Sequence, residues 1–347
     1  MLHLVGECDV RIFGGKPAKR LERQSRGLDL LLVADAATVL DDAAVAWLAD
    51  HEGSVLASPK GLPLAVAVKP ADRDRAVAAL GGNGDLPVVI PEGDMFVRKL
   101  RRRVPLGTYS LREEPAGTIE RRLFDNVYKG VTDLVTKWAW PWPAFHVTRL
   151  CARLGITPNM VTWTGLVMVL LTGWLFYEGR LAAGLAAAWT MTFLDTVDGK
   201  LARVTGTSSA FGNLLDHGTD VIHPPVWWYC LAHGLALLDP GMAGLIWPSF
   251  WTILACYVAG RAVEISFHRS FGFNPYIWQP FDSRFRLIVS RRNVILLIMT
   301  AGLIAGRASE AFVICATWSV LSTVIQAGRL GQAFAARRSR PVTSWLT

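Results

Sequence analysis

The residues best equipped for chemistry are four aspartates, Asp195, Asp198, Asp216 and Asp220, set in sequence apolar enough to lie in a bilayer. A carboxylate in such surroundings is costly unless it is paired, hydrated or bound to a cation. The first two are three residues apart and the last two four, so each pair shares one helix face. Gly199 and Gly212 lie beside those faces, where a missing side chain lets a ligand or a second helix approach. The chemistry this implies is divalent-cation binding between two helix ends. All-oxygen donors with no Cys or His cluster favour Mg²⁺ or Mn²⁺ over zinc. His217 falls about 100° around the helix from the Asp216/Asp220 stripe, and His223 precedes Pro224 and Pro225, so neither reads as a ligand. The plainer alternative is a polar helix pair that only packs or conducts ions.

The spacing D-x2-D-G-x2-A-R-x8-G-x3-D-x3-D resembles the signature of the CDP-alcohol phosphotransferases, and all eight of its fixed positions are filled here. Members of that family are membrane enzymes that displace CMP from a CDP-linked alcohol, often CDP-diacylglycerol, with an acceptor hydroxyl. The resemblance implies two Mg²⁺ or Mn²⁺ ions on Asp195, Asp198, Asp216 and Asp220, with Asp220 also the general base. It implies a nucleotide pocket at Asp195, Gly199, Ala202, Arg203 and Gly212, with Arg203 on the phosphates. Thr157-Pro158-Asn159-Met160-Val161-Thr162 resembles the family's T-P-N-x-x-T segment, which adds Asn159 and Thr162 to that pocket. A Thr before Pro is equally a good helix start, and both readings hold together. The residues alone do not separate base from ligand among the aspartates. The resemblance covers about residues 155–225, and a homodimer follows from it alone.

These groups need helices to hold them. Six apolar spans are expected: Pro158–Tyr177, Leu181–Arg203, Phe211–Leu238, Ala243–His268, Val294–Gly306 and Ala311–Phe334. The fifth is short against the ~20 residues a bilayer needs, and Pro224-Pro225 are expected to kink the third. With the amino end inside, the inner connections hold Arg203, Arg269, Arg284, Arg286, Arg291, Arg292, Arg337, Arg338 and Arg340, while the outer ones hold only Arg180 and Arg307. That bias predicts both termini and the active site on the cytoplasmic side of the inner membrane. Arg261, inside the fourth span, and Arg284, Arg286 and Arg291 suit an acceptor that carries its own phosphate, such as inositol phosphate or glycerol phosphate. The positive-inside rule alone also accounts for them.

Composition supports a membrane part joined to a soluble part. The 347 residues are 52% hydrophobic, 18% charged and carry a net charge of +8, with a mean hydropathy of +0.31. Scattered cysteines show no metal spacing, and no signal peptide is apparent because Glu7, Asp9 and Arg11 come before any apolar run. Residues 1–112 read as a small cytoplasmic α/β domain. Its strands are Leu28–Ala34, Leu64–Val68 and Val88–Ile90, its helices Lys16–Arg26, Asp41–His51 and Arg73–Leu80, and its sheet is expected to be largely parallel. It is faintly similar to a degenerate cytidylyltransferase. Gly14-Gly15-Lys16-Pro17 with Lys19-Arg20 reads as a worn nucleotide turn, and Asp35 as a turn residue rather than a metal ligand. Residues 113–155 follow a basic run, Arg98 to Arg103, suited to anionic lipid; they form a juxtamembrane linker with an amphipathic helix over Ile119–Lys137 and an interfacial Trp138-Ala139-Trp140-Pro141-Trp142. The membrane domain runs over 156–336 and a cytoplasmic tail over 337–347; no nucleic-acid partner is implied. Two other readings remain: transfer from a soluble CDP-alcohol such as CDP-inositol, and a non-catalytic membrane scaffold or transporter.

Overall fold

A computed structural model describes the chain except residues 92, 208 and 209, and except the side chains of 210, 211 and 213–217. It resolves into two compact units. One comprises Met1–Lys129, Phe145–Thr157 and Gly199–Ser208, the other Gly130–Ala144, Pro158–Asp198 and Ser209–Thr347.

The first unit holds β1 (Leu2–Val5), α1 (Pro17–Ser25), β2 (Leu31–Asp35), β3 (Thr38–Leu40), α2 (Asp42–Asp50), β4 (Val55–Ala57), β5 (Pro63–Val68), α3 (Arg73–Leu80) and β6 (Val88–Val89). It continues through β7 (Asp94–Val97), β8 (Arg102–Pro105), β9 (Thr108–Ser110), α4 (Ala116–Asn126) and α5 (Pro141–Arg153), whose last part it keeps. The main sheet runs β1-β2-β5-β4-β6. It is mixed rather than largely parallel: β1/β2 and β4/β6 are parallel, while β5 is antiparallel to both β2 and β4. The reason is the connection 58–62, too short for a crossover, where Ser58 Oγ accepts from Lys60 N and Leu62 N and Gly61 turns at φ 87°. Both faces of the sheet are covered. Leu32 and Ala34 pack with Leu21, Ala44 and Leu48, whereas Leu31 and Val33 pack with Ala76 and Ala79. Double burial explains why β2 reads as a continuous apolar run. Asp41 caps α2 by accepting from Ala44 N (2.8 Å) and also from Gly107 N (2.9 Å); burial pushes its carboxyl up despite those bonds.

One expectation for residues 98–137, the single helix, is corrected. The basic run lies in the β7–β8 hairpin, with Arg101 at its turn (φ 51°) and Arg102 Nη1 donating to Asp125 O. The single helix over Ile119–Lys137 is instead two pieces, α4 and a short π-helix over Val135–Ala139. Gly130 weakens the helix between them. Asp133 then starts the second piece, its Oδ1 accepting from Thr136 N at 3.0 Å, as an N-cap carboxylate does.

The second unit contains α6 (Pro158–Tyr177), most of α7 (Leu181–Thr205), α8 (Ala210–Leu238), α9 (Ala243–Phe271), α10 (Pro280–Phe285), α11 (Arg292–Ile304) and α12 (Ala308–Arg337). Long helices therefore form where hydropathy places them, and α8 stays one element through Pro224 and Pro225. Among the described residues three stretches are long and apolar enough to cross a bilayer: Pro158–Tyr177, Pro240–Phe271 and Ala308–Arg337, with Arg292–Ile304 apolar but short. The packed centre includes Phe176, Trp227, Trp228, Phe250 and Phe312. Trp227 is fully buried and donates its indole N–H to Val169 O at 2.9 Å; such a side chain is worth about 3–5 kcal/mol against alanine. Gly234 of α8 faces the Phe176 carbonyl so closely that any Cβ there would overlap it, the close approach that small residues permit in membrane bundles.

Candidate functional site

Helices α6, α7, α8 and α11 bring the candidate residues of the second unit together. Asp195 and Asp198 share a face of α7, and Asp220 comes from α8. The guanidinium of Arg292, first residue of α11, joins them: Nη2 lies 2.6 Å from Asp195 Oδ2 and Nη1 2.8 Å from Asp220 Oδ1. Carboxylates from two helices thus share one cation, which offsets the cost of burying them. Asp198 is buried and accepts the Thr162 hydroxyl at 2.8 Å. Thr162 is one turn into α6, where the Pro158 carbonyl is a second acceptor at 3.1 Å.

His223 completes the described cluster. Its Nδ1 faces the Thr219 carbonyl at 2.6 Å and its Nε2 lies 3.2 Å from Arg292 Nη1. A carbonyl only accepts, so the proton sits on Nδ1 and Nε2 accepts from Arg292.

Of the other candidates, Asn159 is exposed at the start of α6 and Ala202 is half-buried on α7. A Cβ at Gly199 would meet Arg203 Nη2 at 3.2 Å, so the missing side chain leaves space for that guanidinium. Gly212 is half-buried on α8. The Asp216 side chain lies outside the described residues. Among those that are described, no three His, Cys, Asp or Glu side chains converge as a metal cage. The donor set nevertheless fits a hard divalent cation. Asp195 and Asp220 already meet on one positive charge, and Asp198 sits one helical turn from Asp195 with oxygen donors only.

The arginines proposed for the acceptor divide. Arg291 binds Glu264, which also takes the Tyr276 hydroxyl at 2.8 Å. Arg261 is 3.8 Å from the same carboxylate, and Arg286 lies over the Tyr276 ring at 5.4 Å. Arg284 is exposed. Burial raises the Tyr276 hydroxyl to about 12, so it stays a neutral donor. Arg292, in the same connection as Arg284, Arg286 and Arg291, goes to the aspartates. Lys200 is the residue inside the motif that sequence reasoning left out: it is buried, donates to Val127 O at 3.2 Å and lies 3.5 Å from the Tyr128 ring centre. Its signal was a charged residue in an apolar helix.

The loop in the first unit is occupied by its own packing. Ile12 and Gly15 exchange backbone bonds, Phe13 N donates to Glu120 Oε1 at 2.8 Å, and a Cβ on Gly14 (φ 74°) would meet Ala152 O at 2.5 Å. Lys16 pairs with Asp9, and Arg20 donates to the carbonyls of Leu40 and Val204. Asp35 accepts from Ala37 N and pairs with Arg112, a turn residue in place.

With this geometry in hand, comparison gives the class. Residues 155–325 match the profile of the family described as CDP-alcohol phosphatidyltransferase, and the chain carries a domain of that family. Its curated relatives include archaetidylinositol phosphate synthase of Pyrococcus horikoshii, 42% identical over 22% of this chain and 42% of that protein. Phosphatidylinositol phosphate synthase of Mycobacterium tuberculosis is 35% identical over 24% of this chain and 41% of its own length. Cholinephosphotransferase 1 of Danio rerio is 34% identical over 24% and 23%. The chain thus spans less than half the length of these relatives. Among solved structures, the M. tuberculosis phosphatidylinositol phosphate synthase with CDP-DAG bound aligns over 54% of this chain and 92% of that chain, with 22% identity and a TM-score of 0.41.

Proposed function

We propose that this protein transfers a substituted phosphate from a CDP-alcohol, CDP-diacylglycerol by preference, to the hydroxyl of a phosphorylated polyol such as inositol phosphate or glycerol phosphate, releasing CMP. The carrying observation is the meeting of Asp195 and Asp220 on one cation beside the Asp198–Thr162 bond, all within the family-matched residues. Two of the relatives bear names of inositol phosphate lipid synthases, which supports that acceptor class.

In this reading Asp195, Asp198, Asp216 and Asp220 hold two Mg²⁺ or Mn²⁺ ions. When bound, such ions neutralise the diphosphate and the charge that grows on the leaving oxygen. Asp220 takes the acceptor proton at a carboxylate oxygen. Arg203 contacts the donor phosphates, with Asn159, Thr162, Gly199, Ala202 and Gly212 around the nucleotide. Arg261, Arg284, Arg286 and Arg291 receive the acceptor phosphate, since paired guanidinium donors match phosphate geometry. The domain spans the inner membrane six times as a homodimer, with both termini and the site on the cytoplasmic side. The first unit has a structural role, its glycine loop being filled by its own contacts.

The test is CMP release by the full chain in detergent with CDP-diacylglycerol, Mg²⁺ or Mn²⁺, and a panel of inositol phosphate, glycerol phosphate, inositol and serine. Release that depends on a phosphorylated polyol and falls about 10²–10⁴-fold in Asp220→Asn, the usual worth of a general base, supports the reading. Release only with CDP-inositol redirects the donor. No release with either donor from folded, metal-binding protein overturns it.

A further inference from the structure

Consecutive residues at the start of α11 are each held by a different partner in the second unit. Ser290 N donates to Ser322 Oγ at 3.0 Å, Arg291 binds Glu264, and Arg292 spans Asp195 and Asp220. Next to it, Asn293 Nδ2 donates to Asp133 Oδ1 at 3.0 Å and lies 3.3 Å from Thr136 Oγ1. Asp133 and Asn293 are each only 7% exposed. Asp133 Oδ2 takes the Thr136 hydroxyl at 2.9 Å, and Leu134 N donates to Leu287 O at 3.0 Å. The segment around Asp133 is therefore docked on the entry to α11 by backbone and side chains together. Burial alone would raise the Asp133 carboxyl, but the Arg286 charge and the bonds from Asn293 and Thr136 hold it below the usual carboxylate range. The buried Asn293 Oδ1 finds no hydrogen bond among the described residues. That loss is tolerated where the amide is kept for what its Nδ2 does.

Arginine carries several rotatable bonds and does not hold one pose unaided. Its backbone origin must be fixed if the guanidinium is to reach two carboxylates on different helices. We propose that Asp133 is a positioning residue for the reaction centre: by holding Asn293 it fixes the first turn of α11, and so keeps Arg292 between Asp195 and Asp220. The segment preceding the membrane domain is thereby tied to the motif aspartates. The inference rests on reading those aspartates as cation-binding groups.

Its test needs no turnover. Mn²⁺ binding to the full chain in detergent is read from the spin-resonance signal of free Mn²⁺. Arg292 competes with the metal for Asp195 and Asp220, so Arg292→Ala tightens Mn²⁺ binding. Asp133→Ala removes the acceptor of Asn293, releases Arg292 and tightens binding by about threefold or more, the low end of coupling within one hydrogen-bonded network. In the Arg292→Ala background Asp133→Ala then changes nothing. Asn293→Ala cuts the same link from its other end and gives the same pattern if Asp133→Ala folds poorly. Equal shifts in both backgrounds, no shift in either, or weakened Mn²⁺ binding from a general loosening overturn the proposal. CMP release measured in parallel keeps the readings apart: a protein that binds Mn²⁺ without releasing CMP fails as a transferase, while the Mn²⁺ cycle still decides the role of Asp133.

Discussion

The Ile12–Lys16 loop of the first unit and the carboxylates of the second are both polar stretches that the sequence pattern marks for ligands, yet their groups are satisfied in opposite ways. In the loop, the backbone N–H of Phe13 has a fixed acceptor in Glu120, and Gly14 is glycine because the Ala152 carbonyl leaves no space for a Cβ. Glu120 is itself 2% exposed and 2.6 Å from Arg149 Nε, an ion contact rather than an aligned hydrogen bond. In the second unit, Asp195 and Asp220 share the tip of one long, flexible side chain. A ligand can replace a guanidinium tip by a rotamer change; it cannot replace a backbone turn without unfolding it. Polar groups held by rigid short-range partners build structure. Those held by a replaceable cation are available for chemistry.

Three substitutions probe this contrast. The largest effect is expected from Asp195→Asn, which removes a shared anionic oxygen. CMP release should drop about 10²–10³-fold, the usual cost of losing one charge-stabilising group in a site, with the melting temperature nearly unchanged. Glu120→Ala should do the reverse. It strands Arg149 and the Phe13 N–H and destabilises the first unit by about 3 kcal/mol, read by denaturant melts, while the turnover of folded molecules stays level. Gly14→Ala is expected to cost about 1–3 kcal/mol, because φ 74° and the close Ala152 carbonyl both oppose a side chain. The donor KM should stay at the wild-type value. A raised donor KM in Gly14→Ala would break the contrast by showing that the loop touches nucleotide.

How much of this was legible depended on whether the signal was local. The helices α6 to α9 and α12 follow from apolar length, and the helix over Arg73–Leu80 follows from local pattern. The motif aspartates announced themselves by spacing, and two of them do meet. Strands β1, β3, β4 and β9 are each three or four residues long, too short for alternation to stand out. The mixed direction of the sheet was carried by a short turn at Ser58–Leu62 rather than by the strands. Helix α4 ended early because Gly130 and Asp133 outweighed an apolar periodicity that continued past them. Arg291 and Arg292 are neighbours in sequence, but Arg291 is the extended residue before α11 and Arg292 its first helical one, so one serves Glu264 and the other the aspartates. No one-dimensional reading separates them.

Helix α7 has a consequence for anyone who would cut the chain into parts. Domain boundaries usually fall in exposed linkers, but here the division falls between Asp198 and Gly199, inside an unbroken helix and in the middle of the motif. The last turns of α7 belong with the first unit, where Lys200 donates to Val127 O and Arg20 donates to the Val204 carbonyl near the helix end. A membrane domain expressed alone would carry a buried lysine with no acceptor and a helix end without its cation. Separating residues 1–129 from the rest of the chain therefore strips the last turns of α7 of these partners.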